Sequence, residues 1–402
     1  MIRRLLETPL KQAAGKYPVV TLTGPRQSGK TTLVRAAFPR HEYASLEDPD
    51  VRAFALEDPR GFLGQFTGGV VLDEAQRAPD LFSYLQTIVD GEDAPGRFIV
   101  SGSQDFLLLR SISQSLAGRS AIFHLLPFSL AEIEGRRPFP LEKLGRELPK
   151  ARRPGSPGAP PDLMEALLRG FYPRIHDKGL DPQGWYAGYY QTYVERDVRE
   201  IVNVGDLESF GRFVRLCAGR NGQLLNLASL AVDCGITHTT ARRWVSILEA
   251  SFLVTLLRPH HANYGKRLIK SPKLYFLDTG LLCYLLRIRS PDDLRAHPSR
   301  GPVFESFVVC ELLKNALHQG REPDLSFWRD ATGHEIDAVI ERGSERVAVE
   351  IKSGQTVADD FFAGIDFWRR LVGDPAAPAA LIYGGDRSFR RRGVAVYSWS
   401  AM

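Results

Sequence analysis

The feature that most constrains this chain is a glycine-bounded loop near its amino terminus. The loop reads Gly24-Pro25-Arg26-Gln27-Ser28-Gly29-Lys30-Thr31 and fits the pattern G-x-x-x-x-G-K-[ST] at every fixed position. Residues 17–23 before it predict a buried strand, and residues 32–37 after it are compatible with a helix. The glycines let successive backbone N–H groups turn towards a phosphate, and the helix N-terminus adds partial positive charge. The sequence therefore predicts a strand–loop–helix site for nucleotide phosphates.

Individual side chains of the loop have predicted roles. We expect Lys30 to reach the β- and γ-phosphates of ATP and the Thr31 hydroxyl to ligate Mg²⁺. The predicted ATP-binding residues are Gly24, Pro25, Arg26, Gln27, Ser28, Gly29, Lys30, Thr31 and Thr32.

A second apolar run, residues 69–72, ends in two carboxylates, Asp73 and Glu74. A buried parallel strand carries its last side chains to the carboxyl edge of the sheet, where phosphates bind. We therefore expect Asp73 to hold the Mg²⁺ shell and Glu74 to polarise the attacking water. For the dipeptide alone, a surface turn is the alternative.

Two more positions are candidates for the same reaction. Residues 97–103 predict a buried strand that ends in small polar residues, and Ser101, ahead of Ser103, is our choice for contact with the γ-phosphate or the water. The alternative is a plain turn. Arg119 follows a predicted helix end at Gly118 and could serve as an arginine finger, in cis or on a neighbouring subunit. Its alternative is a solvated surface charge.

These motifs together resemble one group of proteins. They are similar to prokaryotic AAA+ ATPases, in the branch related to origin-recognition and STAND-type ATPases. The resemblance includes the phosphate loop and residues 72–76, 101–103, 115–119, 126–128, 193–198 and 271–280. It spans nearly the whole chain and implies an ATPase followed by an uncharacterised C-terminal region.

Length and composition are those of a multidomain globular protein. The 402 residues suggest two or three domains, and 44% hydrophobic and 25% charged residues are ordinary values. The chain has no run of about 18 apolar residues and no signal-peptide core. Its four cysteines are far apart, so we expect a reducing cytoplasm and no disulfide framework or zinc site. A net charge of +5 suits ATP or a nucleic acid as partner.

The sequence predicts an α/β protein of four segments. Residues 1–133 are the predicted AAA+ P-loop core with a parallel sheet, and residues 162–290 are a helical and winged-helix region. Residues 291–402 are a restriction-endonuclease-like α/β domain. Residues 134–161 contain seven prolines and seven Lys or Arg, which predicts a linker or loose loop. Contact of its basic residues with nucleic acid is the alternative.

Residues 227–248 predict a helix-turn-helix with a turn at Gly235. The second helix starts at a Thr cap and should bury Ala241, Trp244, Val245 and Leu248. Residues 252–257 and 273–277 could supply the hairpin of a winged helix. The exposed candidates for DNA contact are Thr239, Thr240, Arg242 and Arg243. A protein-contact surface is the equal alternative.

Two strand-like runs lie near the carboxyl end, at residues 334–342 and 345–352. Only Gly343-Ser344 separates them, which predicts a β-hairpin with a two-residue turn. If Arg342 pairs with Glu345, every later pair in the hairpin is fixed.

This register places Asp337 opposite Glu350, with Lys352 on the same face. Carboxylates that lie directly opposite each other repel. A divalent cation between them, Mg²⁺ or Mn²⁺, would remove the repulsion.

The arrangement D…E-x-K resembles PD-(D/E)xK nucleases, although Ile336 stands where that family name has proline. The resemblance implies a metal that activates water and a lysine, Lys352, that orients it. Glu305, on an upstream helix, is the additional acid expected in that fold. The alternative is a structural ion-pair cluster in which Glu335 lies opposite Lys352.

The sequence as a whole predicts an ATP-binding, Mg²⁺-dependent ATP-hydrolysing AAA+ protein that acts on DNA and has a nuclease-like C-terminal domain. Whether that domain cleaves DNA is left open. The alternative is a nucleotide-switched regulatory or protein-binding module with an inert C-terminal domain. A protein partner and assembly into a homo-oligomer are compatible with both, since an arginine finger acting in trans requires a neighbour.

Overall fold

The structure is a computed structural model that describes residues 2–92, 94–103, 115–149, 162–197, 207–260 and 270–402. Parts of the predictions lie outside these residues: the start of the helix expected before Arg119, residues 150–161 of the linker, and Val198 of the family pattern. In the described part of the chain, no helix is both long enough and apolar enough to cross a membrane.

The amino-terminal region is built on a five-stranded parallel sheet with the strand order β2-β3-β4-β1-β5. The strands are β1 (Val19–Thr23), β2 (Glu42–Ser45), β3 (Val70–Asp73), β4 (Phe98–Gly102) and β5 (Ser120–His124). The helices are Glu7–Ala14, Lys30–Ala37, Pro49–Glu57, Pro59–Gly64, Leu81–Gly91 and Leu130–Ile133. Successive residues of a strand face opposite sides, so Leu72 and Val100 enter one apolar cluster while Val71 and Ile99 enter another.

A helical region follows. Its helices are Leu163–Arg169, Pro173–Lys178, Pro182–Tyr189, Leu207–Gly219, Leu227–Cys234, His238–Ala250, Thr279–Leu285 and Pro291–Ala296, with a π-helix at Tyr190–Asp197. Two antiparallel strands, β6 (Val254–Leu257) and β7 (Lys273–Phe276), form a small separate sheet.

The carboxyl-terminal region contains a six-stranded mixed sheet with the order β12-β13-β11-β10-β9-β8. The strands are β8 (Leu325–Arg329), β9 (Glu335–Arg342), β10 (Glu345–Lys352), β11 (Ala379–Tyr383), β12 (Phe389–Arg391) and β13 (Val394–Ser398). Helices Arg300–Leu317 and Ala363–Val372 pack on its two faces, in separate apolar clusters. Arg342 pairs with Glu345 as predicted. The α/β class is confirmed: a parallel sheet, a helical region and a separate C-terminal sheet domain.

The first half of the predicted linker is not a loose loop. Phe139 and Leu144 are buried in the core that they share with the C-terminal sheet. The Gly145 N–H donates to the Tyr397 hydroxyl at 2.8 Å, and that hydroxyl donates to the Glu147 carbonyl at 2.6 Å. The proline-rich composition argues against a long helix or strand, and the segment has only a short 3-10 helix, Leu141–Lys143, but this composition did not prevent packing.

Candidate functional site

Two glycines of the phosphate loop are required by its geometry. A Cβ on Gly24 would lie only 2.2 Å from the Leu125 carbonyl oxygen. Gly29, just before the helix Lys30–Ala37, has a φ of 90°, which L side chains rarely adopt. Any other residue at these positions would displace the loop from the end of β1.

Lys30 is 5% exposed and lies inside the loop. Its Nζ donates to the carbonyl oxygens of Gly24 at 2.8 Å and Pro25 at 2.9 Å. Burial lowers the pKa of Lys30 to about 8, although the Glu74 and Asp73 carboxylates oppose that shift. The loop therefore contains a poorly solvated cation, held by weak neutral acceptors that a phosphate could replace.

Asp73, at the end of β3, is the acceptor on which the site converges. Its Oδ2 accepts from the Thr31 hydroxyl at 2.7 Å and from the Tyr43 hydroxyl at 2.7 Å. Its Oδ1 accepts from the Ser101 hydroxyl at 2.5 Å. Thr31 and Asp73 are thus adjacent oxygen donors, a set that suits Mg²⁺. Sequence reasoning missed Tyr43, whose only signal was its place on the strand next to β3.

Glu74 has a left-handed backbone, with a φ of 55°. Such a conformation in a residue other than glycine costs of order 1 kcal/mol and is found at functional sites. The Glu74 Oε2 accepts from Gln76 Nε2 at 2.5 Å and from the Ser103 hydroxyl at 3.0 Å. Two donors therefore fix the carboxylate of the predicted water-polarising residue, and Ser103 serves Glu74 while Ser101 serves Asp73.

Arg119 lies at the opposite edge of the sheet from the phosphate loop. It precedes Ser120, which pairs with Val19 at the start of β1, whereas the loop follows Thr23 at the other end. The five residues of β1, Val19–Thr23, separate the two edges by roughly 13 Å. Arg119 instead contacts Asp90, Nε to Oδ1, at 2.5 Å. This position removes the basis for a finger in cis; action on a neighbouring subunit stays a prediction.

A cavity of about 210 Å³ lies beside the loop helix. Its lining combines the amino-terminal segment, the loop and the start of the helical region, and includes Ile2, Arg4, Ser28, Thr32, Phe128 and Pro173. The Ser28 hydroxyl is buried and has no hydrogen-bond partner among the described residues.

A cation of the loop also contacts the helical region. The Arg26 guanidinium lies over the ring of Tyr193, 5.8 Å from its centroid. Tyr193 belongs to the π-helix Tyr190–Asp197 and donates to the Ser251 carbonyl at 3.1 Å. π-helical turns are rare and occur frequently at functional sites.

The helix-turn-helix elements lie where the sequence places them. Thr237 caps the helix His238–Ala250, and its hydroxyl accepts from the Thr240 N–H at 3.1 Å. The four residues that the sequence predicts to be buried in this helix are buried: Ala241, Trp244, Val245 and Leu248. Thr239, Arg242 and Arg243 are exposed, whereas Thr240 is half-buried and takes part in the cap.

The predicted acids of the C-terminal region come together. Carboxylate oxygens of Glu305, Glu335 and Asp337 all lie within 4.8 Å of one another. The Lys352 Nζ is 2.8 Å from a Glu350 carboxylate oxygen and 3.7 Å from Asp337 Oδ2. Burial, and then the Asp337 charge, raise the pKa of Glu350.

Basic groups that sequence reasoning missed enter the same cluster. The Lys273 Nζ, from β7, lies 2.9 Å from Glu305 Oε1 and also contacts Glu335. Arg329 contacts Glu335 at 2.7 Å. Burial alone would lower the pKa of Lys273, but the surrounding carboxylates raise it above its ordinary value. The cluster is thus ion-paired, but Glu335 pairs with Lys273 and Arg329, while Lys352 pairs with Glu350.

Three family models match the chain. Residues 16–134 match AAA_14, described as an AAA domain. Residues 160–292 and 300–402 match two domains of unknown function, DUF8612 and DUF4143. The amino-terminal region is therefore an AAA-type P-loop ATPase domain.

Two mycobacterial proteins resemble the chain over almost its whole length. They are "Uncharacterized protein Rv2008c" of Mycobacterium tuberculosis and "Uncharacterized protein Mb2031c" of Mycobacterium bovis. Each is 32% identical over 388 residues, which is 96% of this chain and 81% of the relative.

Solved structures show weaker likeness. The Walker-type ATPase PABY2304 of Pyrococcus abyssi is 15% identical, with a TM-score of 0.39 over 70% of this chain and 94% of that one. The RuvB Holliday junction branch migration motor of Thermotoga maritima is 19% identical, with a TM-score of 0.29 over 63% and 88%. AMPPCP-bound DnaA from Aquifex aeolicus is 16% identical, with a TM-score of 0.29 over 61% and 86%.

Replacing Lys30 with Met should stabilise the nucleotide-free protein at pH 7. Because burial lowers the pKa of Lys30 from 10.5 to about 8, keeping its ammonium charged costs the folded state up to about 3 kcal/mol. The substitution also removes two hydrogen bonds, and their loss offsets part of the gain in stability. The folded-state pKa lies below the unfolded-state value, so this cost is fully present below pH 8 and fades as pH rises towards 10.5. Melting curves should show a higher melting temperature for Lys30→Met than for the wild type at pH 7, and a smaller difference at pH 10.

The matched control is Lys16→Met, which removes an exposed lysine. It should leave the melting temperature close to that of the wild type at both pH values. A gain for Lys30→Met that is the same at pH 7 and pH 10 would show that the ammonium charge is not its cause.

Proposed function

The chain belongs to the family of the Mycobacterium tuberculosis protein Rv2008c, and from this premise we propose that it binds ATP with Mg²⁺ and hydrolyses it. The observation that carries the proposal is that Asp73 accepts from Thr31 of the phosphate loop and from Ser101, while the adjacent Glu74 accepts from Ser103. Donors, acceptors and a buried cation meet at the edge of the sheet where nucleotides bind in open parallel α/β folds.

Each residue has a defined part in this proposal. Lys30 exchanges the Gly24 and Pro25 carbonyls for phosphate oxygens, which are stronger acceptors. Thr31 and Asp73 hold Mg²⁺, which neutralises phosphate charge when it is bound. Glu74 polarises the attacking water, and Gln76 and Ser103 keep its carboxylate in place.

The cavity of about 210 Å³ beside the loop is the proposed site for the adenosine end of the nucleotide. Thr32 lines it and follows Thr31 directly, so the cavity adjoins the phosphate site. Ile2, Phe128 and Pro173 offer apolar surface to a base. The unpartnered Ser28 hydroxyl provides a hydrogen-bonding group at its wall.

Glu74→Gln should allow ATP binding but stop turnover. Glutamine keeps the size of the side chain but cannot take up a proton from water, and loss of a general base costs about 10²–10⁴-fold. We expect kcat to fall at least about 100-fold while the Kd for ATP, from a fluorescence titration, stays near the wild-type value.

Glu57→Gln, at an exposed position of the helix Pro49–Glu57, is the control and should leave kcat unchanged. Lys30→Met should abolish ATP binding itself. If the Glu74 and Lys30 variants both hydrolyse ATP at the wild-type rate, the proposal is refuted.

We also propose that the helix His238–Ala250 contacts DNA. The supporting observation is that Thr239, Arg242 and Arg243 are exposed on one helix whose opposite side is buried. In DNA-binding helix-turn-helix modules, the second helix lies in the major groove.

The double substitution of Arg242 and Arg243 by Ala should weaken binding to duplex DNA about tenfold or more. If both arginines contact phosphates, the slope of log K against log salt should fall by about 2. Fluorescence anisotropy at several salt concentrations measures both quantities. Arg60→Ala, an exposed arginine of the ATPase domain, is the control. Unchanged affinity and salt slope would favour the alternative, a surface for protein contact.

The C-terminal region is a candidate for a second, metal-dependent activity. The supporting observations are that carboxylate oxygens of Glu305, Glu335 and Asp337 lie within 4.8 Å of one another, and that the Lys352 Nζ lies 2.8 Å from Glu350 and 3.7 Å from Asp337. Their oxygen donors suit Mg²⁺ or Mn²⁺. We propose DNA cleavage there; the alternative is a nucleotide-switched module in which this domain is inert.

Asp337→Asn tests this activity. It keeps the shape of the side chain but removes one charged oxygen ligand, so we expect slow Mn²⁺-dependent DNA cleavage to fall at least about 100-fold. Asp324→Asn, an exposed position before β8, is the control. Cleavage that survives Asp337→Asn in full would discard the proposed site, and a wild-type protein without cleavage would favour the inert alternative.

A further inference from the structure

Arg4 is a buried cation of the amino-terminal segment that contacts the phosphate loop. It lies before the helix Glu7–Ala14 and is 7% exposed. Its Nη1 donates to the Ser28 carbonyl at 3.0 Å, its Nη2 to the Leu126 carbonyl at 2.6 Å, and its Nε to Glu132 Oε1 at 3.1 Å. All three guanidinium nitrogens therefore have acceptors within the protein.

The Ser28 and Leu126 contacts connect the end of the loop to the segment beside its start. Ser28 stands two residues before the helix Lys30–Ala37, at the end of the loop. Leu126 belongs to the segment that flanks the start, because a Cβ on Gly24 would touch the carbonyl of Leu125. One guanidinium thus bridges the end of the loop to the backbone against which its start is packed.

The contact with Ser28 determines the direction of one peptide group. The Ser28–Gly29 peptide is trans, so its C=O and N–H point to opposite sides. Because Arg4 holds the carbonyl, the Gly29 N–H points away from the guanidinium. Backbone N–H groups of a loop with this pattern face the phosphate oxygens of a nucleotide. Arg4 therefore favours the peptide orientation in which Gly29 can donate to a phosphate.

The acceptors around Arg4 require the shape of a guanidinium as well as its charge. Arginine presents its donors in a rigid planar fork, whereas lysine has one compact ammonium group. The Phe128 ring lies against the guanidinium, with its centroid 4.7 Å from Cζ. A lysine here would keep a charge beside Glu132, but one ammonium cannot replace a fork that reaches Ser28, Leu126 and Glu132 together.

The C-terminal region completes the surroundings of Arg4. His318 follows the helix Arg300–Leu317 and is fully buried. Its Nδ1 lies 3.1 Å from Glu132 Oε2, and its Nε2 lies 3.4 Å from Arg4 Nη2. Lys314 of the same helix donates to the Phe128 carbonyl at 2.9 Å. Two regions of the protein therefore fix the groups that hold the guanidinium in place.

We propose that Arg4 is a positioning residue of the nucleotide site, which fixes the Ser28–Gly29 peptide so that the Gly29 N–H is ready to bind a phosphate. The proposal rests on the ATP binding proposed above for the phosphate loop. Arg4 acts through the loop backbone and not by contact with the nucleotide, since its nitrogens are already bonded. A loop that is ordered in advance binds ATP at a lower cost in conformational entropy.

Arg4→Lys tests the proposal in the full-length protein, because it keeps a charge beside Glu132. We expect the KM for ATP to rise about tenfold or more while kcat at saturating ATP changes by less than about threefold, since the contact supports binding and Glu74 stays in place. Partial unfolding would instead lower the apparent kcat with the folded fraction and leave KM unchanged. Arg40→Lys, at an exposed position after the loop helix, is the matched control and should keep both values.

A second ligand separates loop positioning from a direct contact with adenosine, since Arg4 also lines the cavity beside the loop. Inorganic tripolyphosphate with Mg²⁺ offers phosphates without a base. Isothermal titration calorimetry should show that Arg4→Lys weakens the binding of Mg²⁺–tripolyphosphate and of Mg²⁺–ATP by the same factor. If ATP binding alone weakens, Arg4 acts on adenosine and the proposal is overturned. Unchanged affinity for both ligands would overturn it as well.

The remaining outcomes are equally distinct. If the wild-type protein binds neither ligand, the ATP site itself fails, and the role of Arg4 fails with it. Arg4→Gln, which keeps an amide donor for Ser28 but loses the fork, is the second variant and should raise KM in the same way. If neither variant gives folded protein, Arg4 is a core residue of the fold and not a positioning residue of the loop.

Discussion

The phosphate site depends on the parallel register of β1, β3 and β4, which brings three strand ends to one edge of the sheet. Because all strands of the sheet run in the same direction, the loop after Thr23, the Asp73 carboxylate and the Ser101 hydroxyl lie at the same edge of the sheet. Asp73 then accepts from Thr31, Tyr43 and Ser101 at once, so one buried carboxylate fixes side chains from three other segments. The left-handed backbone of Glu74 has its own support: its N–H donates to Asp73 Oδ1 at 3.2 Å, and its carboxylate accepts from Gln76 and Ser103.

Buried charges between regions are the second constraint. Arg4 donates to the Ser28 carbonyl at 3.0 Å and to Glu132 Oε1 at 3.1 Å, and His318, after the helix Arg300–Leu317, lies 3.1 Å from the other Glu132 oxygen. Burial acts to raise the pKa of Glu132, but Arg4 and His318 outweigh it and the pKa is lowered. Loss of either Arg4 or Glu132 would leave the other as an uncompensated buried charge. This network ties the phosphate loop to the C-terminal region by a contact that has no sequence motif.

Sequence reasoning succeeded where a short pattern determines local geometry. The phosphate loop, the carboxylates that end β3 and the two-residue hairpin turn are of this kind, and the turn fixed the hairpin register from Arg342–Glu345 as far as Ala338–Val349. It failed where partners come from distant segments: Tyr43 and Lys273 carry no local mark of the carboxylates that they contact. Arg119 shows a different limit of sequence reasoning. A residue that flanks a strand lies at one of the two edges of the sheet, and the direction of β5 determines whether that is the edge with the phosphate loop.

A path of side-chain contacts leads from the phosphate loop towards β7. The Arg26 guanidinium lies over Tyr193, and aromatic rings in contact lead from Tyr193 to Tyr186. Tyr186 donates to Asp278 at 2.6 Å, and Asp278 stands two residues after the end of β7, the strand that carries Lys273. Contiguity alone is not coupling; coupling requires one element whose position both sites bias. What the structure gives is the contiguity itself: Arg26 of the phosphate loop lies at one end of the path, and Lys273, which contacts Glu305 and Glu335, lies on the strand at the other.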